Sequence, residues 1–261
     1  GIENVFYQEI IQGARVSAKA HGCHLLIHES HLNKGNLLDF CNLLRRVDAA
    51  GVILLNRVSE EGLNQIRVIA PLVQCCEYND HADYPYVSID DARAAELATE
   101  YLLSNGGSKI ALINGPGNFK YARRRQEGFM NALRKAEVMV PKQWIVQLPE
   151  VSYEMAYAAV CRLLNSDSRP NAFFTISDVF AAAVIRAAKR FHLHVPRDIL
   201  VVGFDNIELS SMTSPSITTV NQPKFQMGYT ACEMLLELME DPHGEMKSLL
   251  LDTELVIRES T

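Results

Sequence analysis

A chain of 261 residues should bury roughly 73% of its extended surface on folding, enough for a large core without disulfides or metals. Its 48% hydrophobic and 21% charged residues exclude a disordered or low-complexity chain. With 25 basic against 31 acidic residues, the net charge of −6 excludes an electrostatic footprint for nucleic acid, so this chain alone is not expected to hold DNA strongly.

In chain order, strand-length apolar runs alternate with helical patterns. The expected strands are 23–28, 51–55, 72–76, 86–89, 109–113, 144–148, 172–175 and 200–204. Between them, apolar residues recur with a period of 3.6. Phe6, Ile10, Ala14 and Ala18 share a first helix face. Leu37, Leu38, Cys41, Leu43 and Leu44 mark a helix over 34–46, either core-facing or a dimer face. Tyr153, Ala156, Val160 and Leu163 form another stripe, as do Ala181, Val184, Ile185 and Ala188, and Met227, Ala231, Leu235 and Leu238. Asn105-Gly106-Gly107 reads as a helix stop, and Val195-Pro196-Arg197-Asp198 as a turn before a strand. Such alternation predicts parallel sheets covered on both faces, as a barrel or as two doubly wound sheets. The first element is a helix where a doubly wound domain should begin with a strand, so the parent protein is expected to supply that strand upstream.

No run approaches the roughly 18 apolar residues of a membrane span, and the opening Gly1-Ile2-Glu3-Asn4 has no basic-then-apolar signal pattern. The six cysteines, Cys23, Cys41, Cys75, Cys76, Cys161 and Cys232, have neither zinc-pair spacing nor that of a secreted disulfide framework. A reduced, cytoplasmic compartment is expected. His21, His24, His28 and His31 read as a surface and half-buried set rather than a metal cluster. There is no Gly-x-Gly-x-x-Gly, phosphate loop or Gly-x-Ser-x-Gly elbow, and Gly115-Pro116-Gly117 is most simply a tight βα turn. No enzyme, metal or cofactor is expected.

Three places suit a ligand. Asp205 follows Leu200-Val201-Val202-Gly203-Phe204, at the carboxyl end of a parallel strand where open α/β sheets bind ligands. A carboxylate there can accept from hydroxyls or amines, or it can cap the turn at Asn206-Ile207. Arg123-Arg124-Arg125 opens a helix, as a solvated basic turn or with one guanidinium aimed inward to donate paired bonds. Phe6 and Tyr7 start the first helix, as core residues or as a flat stacking surface.

Together these segments resemble the LacI/GalR family of bacterial transcriptional repressors, in its effector-binding and dimerisation region. The matches run the whole chain: Phe6-Tyr7-Gln8-Glu9-Ile10-Ile11, Gly51-Val52-Ile53-Leu54, Val87-Ser88-Ile89-Asp90, Gly115-Pro116, Arg125-Gln126-Glu127-Gly128-Phe129, Ser177-Asp178, Val202-Gly203-Phe204-Asp205-Asn206, Thr218-Thr219-Val220-Asn221-Gln222-Pro223 and Leu255-Val256-Ile257-Arg258. The Gly-Phe-Asp-Asn and Thr-Thr-x-x-Gln-Pro motifs, in that order, are strongly specific. Asn206-Ile207-Glu208-Leu209 and the closing residues 252–261 are most similar to a cytidine-sensing branch of the family.

The resemblance implies two doubly wound parallel-sheet subdomains of periplasmic-binding-protein type, joined by three crossovers, with the effector in the cleft. By position these would be 1–90 with 222–252, and 91–221 with 253–261. The family's helix-turn-helix headpiece would lie upstream, so operator DNA would be reached only through it, by a homodimer. Carried over residue by residue, Asp205 and Arg125 match the ligand-gripping acid and arginine, and Phe6 and Tyr7 the aromatic pair after the first strand. Gln222 matches the polar residue at the third crossover, and Ser177-Asp178 flank the cleft. Glu77 stands where a cleft-lining side chain is expected. Phe119 and Tyr121 replace the arginine and threonine that read the base in the purine-responsive member, and Val151 replaces its base-stacker, so a purine base is not expected. The expected effector is an uncharged nucleoside, cytidine first, or a sugar. The rival is a periplasmic sugar- or nucleoside-binding protein of a transporter, which shares the fold.

Overall fold

The computed structural model of the chain describes residues 5–242, 244 and 247–261; Gly1-Ile2-Glu3-Asn4 lies outside the described residues. The chain divides into two compact units, Gly1–Ile89 with Pro223–Asp252, and Asp90–Gln222 with Thr253–Thr261.

The first unit opens with α1 (Val5–Ala20) and α2 (Leu37–Arg46), followed by β1 (Val52–Leu54), α3 (Glu60–Arg67), β2 (Leu72–Cys75) and β3 (Tyr86–Ile89). Its sheet has the order β1-β2-β3-β9, all parallel, where β9 is Leu249–Leu251. Alternation along β1 shows both faces covered. Val52 and Leu54 join Leu37, Phe40, Leu44, Leu63 and Ile66 of α2 and α3, whereas Ile53 lies against the cluster of Ala14, Ala18 and Cys232. The last of these belongs to the helix of Lys224–Glu240, numbered α9 in chain order. It crosses α1 at glycines: a Cβ on Gly228 would stand 1.8 Å from the Ile10 carbonyl oxygen, and one on Gly13 2.0 Å from that of Phe225.

The expected strand at 23–28 does not form. Its apolar residues suit a strand, but a strand exists only through a paired neighbour, and this segment joins neither sheet. Leu26 is 74% exposed, while Cys23 and Leu25 rest on the Ala14–Ala18 cluster. The helix expected over 34–46 starts at Leu37, and its Leu37, Cys41 and Leu44 are buried in the core of their own unit while Leu38 is exposed. That face is accounted for by the core.

The second unit runs α4 (Asp91–Ser104), β4 (Ile110–Asn114), α5 (Lys120–Lys135), β5 (Ile145–Gln147), α6 (Tyr153–Leu164), β6 (Ala172–Thr175), α7 (Asp178–Arg190), β7 (Leu200–Asp205), α8 (Leu209–Met212) and β8 (Thr218–Asn221). With β10 (Glu254–Val256) its sheet has the order β10-β8-β7-β6-β4-β5. All neighbours are parallel except β10, which runs antiparallel to β8. The strands β8, β9 and β10 add to those expected, and β9 and β10 are three-residue segments at the sheet edges. Asn105 caps α4 and Gly106 takes φ +97, the backbone reversal expected of Asn105-Gly106-Gly107.

From β4 the chain moves outward to β5, then returns to the other side of β4 to lay down β6, β7 and β8. The connections after β4 and β6 therefore depart in opposite directions. Such a topological switch opens a crevice beyond the carboxyl ends of the strands.

Candidate functional site

The side chains beyond the carboxyl ends of β4, β6 and β7 converge on Arg125. α5 carries three consecutive arginines, and helical phase separates them. Arg124 is half exposed and pairs with Glu127 at 2.6 Å, and Arg123 donates to the Gly117 and Asn118 carbonyls. Arg125 turns inward, 5% exposed. Its Nε donates to Asp91 Oδ1 at 2.8 Å and one terminal nitrogen to the Ile176 carbonyl at 2.7 Å, just past β6. The same nitrogen lies 3.7 Å from Asp205 Oδ1. The guanidinium carbon sits 3.5 Å from the centroid of Phe204 and 4.9 Å from that of Tyr121, a cation held against two aromatic rings. Burial works against this charge, but the fields of Asp91 and Asp205 outweigh it and raise the pKa above the ordinary arginine value.

Lys120, also buried, stands 3.5 Å from Asp91 Oδ2. Lys120 and Arg125 thus face Asp91 and Asp205, two charges of each sign. Phe119 and Tyr121 flank Lys120 and stack at 5.3 Å between centroids.

Asp205 ends β7 with φ +100, and Asn206 follows at +51. Two successive non-glycine residues on the left-handed side cost of order 1–3 kcal/mol each and persist only where surroundings enforce them. The enforcement is visible. Asn206 Oδ1 accepts from Arg258 at 2.8 Å and from Ser210, while its Nδ2 donates to Asn221. Asp178, fully buried, accepts from the Ile207 amide at 2.8 Å and from the Thr219 hydroxyl. Gly203 is required beside it, since a Cβ there would come within 2.4 Å of Asp178 Oδ1. Gln222 Nε2 donates to Asp205 Oδ1 at 2.7 Å. The Asp205 side chain remains 19% exposed, an acceptor with access to solvent.

The structure therefore brings together Asp205, Arg125, Gln222, Tyr121 and Phe119 of the expected site. Ser177 serves locally as the N-cap of α7, its hydroxyl accepting from the Phe180 amide. Gly115-Pro116-Gly117 is a turn braced by the Asn114 side chain, which accepts from the Gly115 amide at 2.9 Å, and by Gln147, which donates to the Gly115 carbonyl. Phe6, Tyr7 and Glu77 belong to the first unit. Phe6 and Tyr7 meet edge to face at 5.3 Å at the start of α1, and Glu77 is buried just past β2. Sequence reasoning missed Asp91 and Lys120, the partners that hold Arg125. Their signal was faint: Asp91 follows the Val-Ser-Ile-Asp strand end, and Lys120 sits between the two singled-out aromatics. It also missed Asp178 and Arg258 as the braces of the Asp205–Asn206 turn, although both lie in quoted motifs.

Among the described residues no group of three His, Cys, Asp or Glu converges as a metal site. His28 stacks on Phe40 at 5.2 Å, and His21 bonds the Ser17 carbonyl. No helix is long and apolar enough to cross a membrane among those residues.

Residues 99–261 match the family described as periplasmic binding protein-like domain. Over 258 residues the chain is 34% identical to the HTH-type transcriptional repressor CytR of Escherichia coli strain K12, a match covering 98% of this chain and 75% of that protein. It is 31% identical to the HTH-type transcriptional repressor PurR of Photorhabdus laumondii, over 99% of this chain and 76% of that one. Among solved structures, a LacI family transcriptional regulator from Enterococcus faecium with bound ribose superposes with a TM-score of 0.86 at 25% identity, covering all of this chain and 96% of the other.

Proposed function

Because the chain belongs to the LacI family of transcriptional regulators, we propose that it senses a small uncharged effector for a DNA-binding repressor that works as a homodimer in the cytoplasm. The effector is a nucleoside, cytidine first, or a sugar. The observation that carries this reading is the charge-balanced cluster around Arg125 at the switch of the second sheet, with the constrained Asp205 at its edge.

In this reading Asp205 accepts from ligand hydroxyls, Gln222 holds its carboxylate, and Arg125 fixes the geometry from behind. Tyr121 and Phe119 offer flat surfaces for a base or the apolar face of a sugar. A phosphorylated ligand is disfavoured, because Lys120 and Arg125 are already matched by Asp91 and Asp205. Phe6, Tyr7, Glu77 and Ser177 are retained as candidate contacts. The relatives are regulators, which favours this reading over a transporter's periplasmic binding protein and over an enzyme. The effector shifts operator affinity only by the difference between its affinities for the conformations involved.

A thermal-shift panel of nucleosides, free bases, sugars and nucleotides tests the assignment. A ligand at ~100 times its Kd stabilises the fold by about 2.7 kcal/mol, a clear rise in midpoint. Cytidine is expected to give the largest rise, abolished by Asp205→Ala. A rise with nucleotides alone refutes the uncharged-ligand reading.

A further inference from the structure

We propose that Cys75 and Cys76 form a modification site: a vicinal dithiol that a peroxide closes reversibly into a disulfide. Neighbouring side chains of a regular strand point to opposite faces, so adjacent cysteines there hold their sulfurs apart. Here the strand ends at Cys75, and Cys76 takes φ +70, which swings its side chain out of the alternation. The two Sγ atoms come to 3.7 Å. The arrangement is held in place: the Cys76 amide donates to the Val87 carbonyl at 2.9 Å, and its own carbonyl accepts from the Ser88 hydroxyl at 2.7 Å. Cys76 is half-buried and Cys75 fully buried. An oxidant therefore meets Cys76 first, with Cys75 behind it.

The chemistry balances with one peroxide per pair. The Cys76 thiolate attacks the O–O bond, an S–O bond forms, and water leaves with the thiol's proton, giving a sulfenic acid. Cys75 then attacks the Cys76 sulfur as the S–O bond breaks, and a second water departs. Two thiols are oxidised and one peroxide is reduced. Adjacent Cα atoms across a trans peptide are about 3.8 Å apart, shorter than the usual disulfide range of about 4.4–6.8 Å. The closed form is therefore strained and readily reduced, which suits a labile, regulatory disulfide in a reducing compartment. The site adjoins Glu77, but its chemistry does not depend on which effector binds.

The test uses the whole chain. Trypsin releases the fragment 68–93, which contains Cys75 and Cys76 and no other cysteine. The protein is treated with hydrogen peroxide, quenched, unfolded in urea, alkylated with N-ethylmaleimide and digested. Untreated protein should yield this fragment with two adducts. Treated protein should yield it with none and about 2 Da lighter than its dithiol form, with both adducts restored by dithiothreitol before alkylation. In Cys75→Ser, Cys76 should instead retain oxygen. The wild-type fragment decides the matter even if that variant folds poorly. The proposal is overturned by oxygen retained on wild-type Cys76 while Cys75 still alkylates, by a cross-link to another fragment, or by an unreacted pair at a dose that oxidises Cys23.

Discussion

Replacing Arg125 with alanine should weaken both the fold and the proposed binding, in separable amounts. The change removes donors to Asp91 and to the Ile176 carbonyl, at 2.8 and 2.7 Å, and a cation resting on Phe204. Removing one partner of a buried pair costs about 3–5 kcal/mol, because the other is left buried and uncompensated. Lys120 remains 3.5 Å from the far oxygen of Asp91, which places the expected loss near the lower bound, about 3 kcal/mol. The buried network ties Arg125 to the fold as well as to the proposed binding. Without the guanidinium 3.7 Å away, Asp205 loses its orientation toward the ligand, and the binding loss should be about 1.5–3 kcal/mol, the worth of a hydrogen bond to a charged group, or roughly 10- to 150-fold in Kd. Arg124→Ala is the control. Its pair with Glu127 is half exposed on both sides, so it should change stability by no more than about 0.5 kcal/mol and leave binding alone. Urea midpoints and calorimetric titration with the best ligand of the panel measure the two effects. If Arg125→Ala unfolds at the wild-type midpoint, or Arg124→Ala costs as much, the account of the buried network is wrong.

Two further outcomes rest on other parts of the molecule. Gly228→Ala would drive a methyl into the Ile10 carbonyl at the α1–α9 crossing and should destabilise the first unit by at least about 1–3 kcal/mol; a change below 0.5 kcal/mol in urea, about the surface-mutation range, would mean the helices separate freely. Gly117→Ala, whose nearest contact is 3.6 Å from the added carbon, is the matched control. Glu96 accepts from Lys135, which with Arg93 holds its carboxyl below the ordinary glutamate range despite burial. A depressed folded pKa contributes stability that is present above the unfolded value and lost as pH falls through the folded one. Glu96→Gln should therefore melt lower at pH 7 and flatten the acid side of the curve below about pH 4.5, measured by circular dichroism across pH 3–7. An unchanged acid slope would remove Glu96 from the account.

Much of this protein was legible in one dimension because burial is periodic. The α1, α7 and α9 stripes follow from a period of 3.6, and the phase of α5 alone turns Arg125 inward and Arg124 out. The Gly-Phe-Asp-Asn motif placed an acid at a strand's carboxyl end, where β7 has it. Periodicity states that a face is buried, not what covers it. The partners of Arg125 lie 34 and 51 residues away in sequence, and only the fold of the second unit brings them together. The left-handed turn at Asp205 and Asn206 is held from a distance by Asp178, Thr219 and Arg258. Segment 23–28 carries the apolar residues of a strand and fails to become one, because a strand is a relation between two segments and its composition describes one. The contact between Cys75 and Cys76 has the same origin. Adjacency was plain in the sequence, but the backbone reversal that joins the two sulfurs is set by Val87 and Ser88 of the neighbouring strand.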